Sequence, residues 1–167
     1  MAMAPMRLLR HLFARSARGL FPPERMQRIA AAIAEGERRH RGEICFAVEA
    51  ALPAQSVWAG HDAHLRASEV FAQLRVWDTE ANNGVLVYLL LADHRIEIVA
   101  DRGLDPLVSA EQWRGVCLLI EERLKAGEPE DAVVRGVSAI SDLLAEHFPR
   151  TAGDDDRNEL ADQPHLL

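Results

Sequence analysis

Oxygen-bearing side chains gather around one stretch of this chain. Asp78, Glu80, Asn82 and Asn83 come just before an apolar run, and Asp101 and Asp105 follow the segment after it. A hard divalent cation such as calcium or magnesium takes about six oxygen ligands, several of them carboxylate, with water completing the shell. Asp78, Asn82, Asn83, Asp101 and Asp105 are therefore the candidate metal ligands, with Glu80 beside them. The competing reading gives Asp78, Asp101 and Asp105 only to turn geometry and helix capping. Any site requires the chain between the two groups to double back.

The intervening pattern does that. Asn82-Asn83-Gly84 is a turn signal, and the unbroken apolar run Val85–Leu91 reads as a strand covered on both faces. Asp93-His94 breaks it, and the alternating run Ile96–Ala100 reads as the antiparallel partner nearer a sheet edge. The residues entering the first strand and leaving the second then meet at one rim. Upstream, Glu43–Ala50 is a strand with Ile44, Phe46 and Val48 on one face and small Cys45 and Ala47 on the other.

Helical spacing accounts for most of the rest. Pro22-Pro23 opens a helix carrying Met26, Ile29, Ala30 and Ile33 on one side. A second helix, from about Asp62 to Leu74, buries Ala63, Ala67, Val70, Phe71 and Leu74. Ser109 with Gln112 is a capping box for a third helix, and Pro129 starts a last one that Pro149 stops. A strand–helix–strand crossover is right-handed and parallel, and helices must cover both faces of so apolar a sheet. The expectation is an α/β fold, a three-layer α/β/α sandwich around a small mixed sheet with strands at about 43–50, 84–91 and 95–101.

One domain fits the 167 residues, 49% of them hydrophobic and 27% charged. A net charge of −7 argues against nucleic acid as a partner. Charge is unevenly placed, dividing the chain into a basic amphipathic segment (1–21), the α/β domain (22–149) and an acidic tail (150–167) expected to be disordered. As a helix, residues 6–20 place Leu8, Leu9, Leu12 and Phe13 on one arc and Arg7, Arg10, His11, Arg15 and Arg18 on the other. Such a segment either packs back on the domain or makes weak peripheral contact with an anionic membrane. Cys45 and Cys117 form no disulfide framework, no apolar run is long enough to span a bilayer, and arginines interrupt every candidate signal sequence. A cytoplasmic protein, membrane-peripheral at most in that weak sense, is expected.

His61, Asp62 and His64 offer two imidazoles and a carboxylate at a helix start, without an evident third zinc ligand. Capping by Asp62 with exposed histidines is the simpler expectation. Trp58 and Trp77 flank the second helix and are the candidate partner-binding residues, placed to sit over the same rim.

Several short motifs, in order, resemble the TPM-domain family, whose relatives include thylakoid-lumen, photosystem-repair and receptor-modulator domains. They are Gly42–Glu49 (GEICFAVE), Asn83-Gly84-Val85-Leu86 with the apolar run, Ile96-Glu97-Ile98, Gly103-Leu104-Asp105 and Leu124–Glu128 (LKAGE), spanning Pro22 to Phe148. The resemblance implies an α/β/α domain, calcium-type metal binding, a weak acid-phosphatase activity in some relatives and an accessory role beside membrane proteins in others. A compact, cytoplasmic, bacterial member is expected. Two departures stand out. Asn82 replaces the family's usual aspartate, and Asp101-Arg102 brings an acid and a cation to the rim. A cation there weakens metal affinity and favours phosphate.

Two functions follow. One is a TPM-like binding or accessory domain, with a divalent metal at the rim and a protein partner at or near a membrane. The other is a metal-assisted phosphatase of phosphomonoesters in which Asp101, Arg102 and Asp105 do the chemistry.

Overall fold

The computed structural model describes residues 4–154 and 158–167. Its central sheet begins with β1 (Glu43–Glu49) and β2 (Gly84–Leu90), which pair in parallel from Glu43↔Gly84 to Glu49↔Leu90. Both strands are buried along their full length, as their unbroken apolar runs require. β3 (Arg95–Ala100) turns back antiparallel on β2, from Leu90↔Arg95 to Val85↔Ala100, and forms one edge of the sheet.

Helices cover both faces. On one face Ile44, Phe46, Val48, Val85, Val87 and Leu89 meet α3 (Pro23–Glu37), α6 (Ala110–Lys125) and α7 (Pro129–His147). On the other, Cys45, Ala47, Leu86, Tyr88 and Leu90 meet α4 (Ala54–Trp58) and α5 (Ala63–Gln73). The period-2 alternation of β1 and β2 thus feeds two cores, which makes the three-layer α/β/α sandwich. Asp62 caps α5, accepting from Leu65 N at 2.8 Å, and Ser109 and Gln112 close the expected capping box on α6.

Three features depart from the sequence expectation. The proline-bearing loop after β1 contains the short helix α4. The acidic tail is not without structure: residues 158–167 run along the free edge of β1 and end in β4 (His165–Leu166), parallel to β1 through Ala47↔His165 and Val48↔Leu166. Backbone pairing supplies a partner that side-chain hydrophobicity could not reveal. Residues 155–157, also within that expected tail, lie outside the described residues. The third departure concerns the first helix, α1 (Ala4–Leu12), which turns Arg7 and His11 of its polar arc inward and leaves Arg10 exposed. Arg7 forms a bidentate pair with Asp93 of the β2–β3 turn (2.7 and 3.0 Å), and buried His11 lies 3.1 Å from the same carboxylate. A short helix α2 (Ala17–Leu20) then leads through buried Phe21 to α3.

Candidate functional site at the sheet rim

Folding back of β3 on β2 brings the predicted rim together at the backbone. Asp101 N donates to Gly84 O at 2.9 Å, and Gly103 N donates to Asn82 O at 3.0 Å. The glycines of the motif explain the closeness. A Cβ on Gly103 would stand 2.5 Å from Asn82 O and 2.7 Å from Ala81 O, and one on Gly84 would strike Val76 O. Only a residue without a side chain lets these loops touch.

Asn83 and Asp101 form the buried centre. Asn83 is fully enclosed; its Nδ2 donates to Arg41 O at 3.1 Å and its backbone N to Thr79 Oγ1 at 3.1 Å. Asp101 is 8% exposed and caps a 3-10 turn, Arg102–Leu104, accepting from Arg102 N at 2.7 Å through Oδ1. Asn83 Oδ1 and Asp101 Oδ2 are both buried without a hydrogen-bond partner. Buried acceptors are nearly always satisfied, so two orphans on segments whose backbones are hydrogen-bonded call for an explanation. Asn82, in the left-handed region at φ 51°, accepts from Arg102 Nε at 3.3 Å.

The other candidates lie outside that centre. Asp78 is exposed and paired with Arg75 at 2.5 Å, and the Arg75 guanidinium sits 5.7 Å from the Trp77 ring centre. Glu80 is exposed, with its backbone N bonded to Glu159 of the tail at 2.9 Å. Asp105 ends the 3-10 turn facing solvent. Trp58 and Trp77 are both exposed, Trp58 ending α4 ahead of α5 and Trp77 following α5. His64 makes an exposed contact with Glu97 at 3.3 Å, His61 is half-buried and His94 is exposed. Among the described residues, no three His, Cys, Asp or Glu side chains form a metal-holding group.

Sequence reasoning passed over the carboxylates at the same end of the sheet. Glu43, opposite Gly84, receives Glu159 N at 3.1 Å and Leu160 N at 3.3 Å, and burial pushes its carboxyl up to about 7. Glu37 accepts from Ile44 N at 3.1 Å, and burial together with repulsion by Glu43 raises it to about 9. A groove of about 560 Å³ opens beside them, lined in part by Glu35, Arg38 and Asp162. The far end of β1 has its own buried acid. Glu49 holds Arg66 at 2.8 and 3.1 Å and receives the Tyr88 hydroxyl at 2.6 Å. The available signal was an acid at each end of an otherwise apolar strand: a charge in a buried run needs a partner brought from elsewhere.

This arrangement is that of a known domain class. The TPM domain family matches residues 15–143, and the chain belongs to that family. It is similar to the BA42 protein from the psychrophilic bacterium Bizionia argentinensis, solved by NMR. The two share 28% identity and superpose with a TM-score of 0.76 over 86% of this chain and 93% of that one. No curated protein matches the chain. Among the described residues no helix is long and apolar enough to cross a membrane.

Proposed function

We propose that this chain is a TPM-type binding module. Its rim takes a weakly held divalent cation, calcium or magnesium, and presents the neighbouring loops to a protein partner. One observation carries the reading: Asn83 Oδ1 and Asp101 Oδ2, buried and unpartnered, lie on neighbouring segments whose backbones are hydrogen-bonded. An amide oxygen and a carboxylate oxygen are hard-cation ligands, and water can complete the shell. Of the charged candidates only Asp101 is buried at the centre, and Arg102 stands beside it. Ligand charge sets affinity in such sites, so binding falls in the weak, roughly millimolar class. The partner surface is then the exposed Trp77, Asp78 and Glu80 loop together with Asp105.

Thermal melts with calcium and magnesium test it. Saturation at about 100 times the dissociation constant stabilises by about 2.7 kcal/mol, and Asp101→Asn removes most of that shift. No shift with either cation, or an equal shift in the variant, refutes the metal part.

The exposed Arg102 guanidinium beside Asp101 favours a second reading, a metal-assisted weak acid phosphatase using Asp101, Arg102 and Asp105. Asp101 suits a ligand better than a nucleophile, because it is buried and one oxygen caps the turn. Turnover of p-nitrophenyl phosphate with calcium, magnesium or manganese that disappears in Asp105→Ala supports the enzyme. Turnover that survives the substitution belongs elsewhere.

A further inference from the structure

The first helix carries most of its amphipathic pattern inside out, although Leu8 packs against the core beside β1 and β2. Arg7 and His11 point into the domain and are held by Asp93, while Met6, Leu9, Leu12 and Phe13 are 67%, 51%, 63% and 82% exposed. At about 100° per residue these four apolar side chains form one arc, opposite the anchored one. Met6, Leu9 and Phe13 also line a groove of about 910 Å³ that continues over Leu20, Leu91 and Leu124. Arg10 and Arg15 line the same groove and Arg18 follows on α2; all three are exposed and none has a bonded partner among the described residues. No acid occurs before Glu24.

From this ridge we infer a docking face for an anionic phospholipid bilayer. An interfacial helix buries a leucine and phenylalanine face at the acyl boundary while arginines meet the headgroups, and this ridge has both parts already fixed in place. Leu12 stands outside the groove, so an occupant confined to the groove would leave it wet; a surface covers it. A second copy of the chain fits less well, because self-association would bring two sets of unpaired arginines together. Anionic lipid neutralises them. Asp93 holds the ridge outward, together with Leu52 N, which donates to His11 Nδ1 at 2.9 Å. Burial alone would raise its carboxyl, but the hydrogen bonds from Arg7 and His11 outweigh that and keep it below the usual carboxylate range. The inference does not depend on the rim or on what binds there.

Cosedimentation of the full chain with vesicles of phosphatidylcholine, with and without phosphatidylserine, tests the assignment. Binding is expected only to the anionic vesicles and fades as salt rises. Each arginine near the surface is worth about fivefold in partition, so Arg10→Gln/Arg15→Gln/Arg18→Gln weakens binding on the order of 100-fold. Leu12→Ser/Phe13→Ser weakens it more than about tenfold. All five positions are exposed, so thermal melts of both variants should match the parent protein. Equal binding to neutral vesicles, no binding at low salt, or unchanged binding by either variant overturns the proposal. So does light scattering that shows a dimer dissolved by Leu12→Ser/Phe13→Ser.

Discussion

Replacing Glu43 by glutamine should reverse sign with pH. Burial lifts this carboxyl from 4.5 to about 7 in the folded protein. Below about pH 4.5 the group is protonated folded or unfolded and contributes no difference. As pH rises, the unfolded chain ionises first, so folding loses about 1.4 kcal/mol per pH unit until the folded carboxyl also ionises near 7. A rise of 2.5 units (7 − 4.5) therefore amounts to about 3 kcal/mol lost by pH 8, a large part of a typical folding free energy. Glutamine keeps one acceptor for Glu159 N or Leu160 N and turns an NH2 toward the other, which costs about 1 kcal/mol at any pH. Glu43→Gln is then about 1 kcal/mol less stable than the parent at pH 4, nearly equal to it at pH 5 and about 2 kcal/mol more stable at pH 8. The substitution also removes a repulsion that raises Glu37, in the same direction. Urea unfolding at pH 4, 5, 6, 7 and 8 measures it. Parallel curves for variant and parent would show that Glu43 does not titrate through this range, and the argument from its burial would be wrong.

Gly103→Ala must push a methyl against two carbonyl oxygens 2.5 and 2.7 Å away, and should cost about 1–3 kcal/mol in unfolding free energy while abolishing any cation-induced thermal shift. Asp93→Asn removes the bidentate Arg7 pair and the His11 contact, so α1 should open more readily; trypsin cleavage at Arg10 is expected to accelerate about tenfold or more. Truncation after Asn158 deletes β4 and the tail's hydrogen bonds to Glu43; it should lower stability by about 2 kcal/mol and expose β1 to edge pairing, read as concentration-dependent aggregation. Cys45 is buried, with its thiol pushed up to about 12, and should resist a thiol reagent at pH 8 until the protein unfolds.

Local pattern determined much of this molecule. Full burial of β1 and β2, the edge position of β3, the caps at Asp62 and Ser109 and the helix on each face all follow from periodicity and capping chemistry, which act over a few residues. The meeting of Asn82, Asn83 and Asp101 followed as well, because a hairpin must bring its outer ends together. What only the tertiary structure decided concerns residues whose partners lie far along the chain. Asp78 and Asp105 could not be told from Asp101 by type or spacing; burial of Asp101 and exposure of the others separate them. Glu43 and the tail are more than a hundred residues apart in the sequence, and strand addition depends on backbone groups that every residue carries. The outward apolar face of α1 is of the same kind. Amphipathic spacing predicts two faces, but distant partners, the Asp93 carboxylate and Leu52 N, hold Arg7 and His11 and so decide which of them water sees.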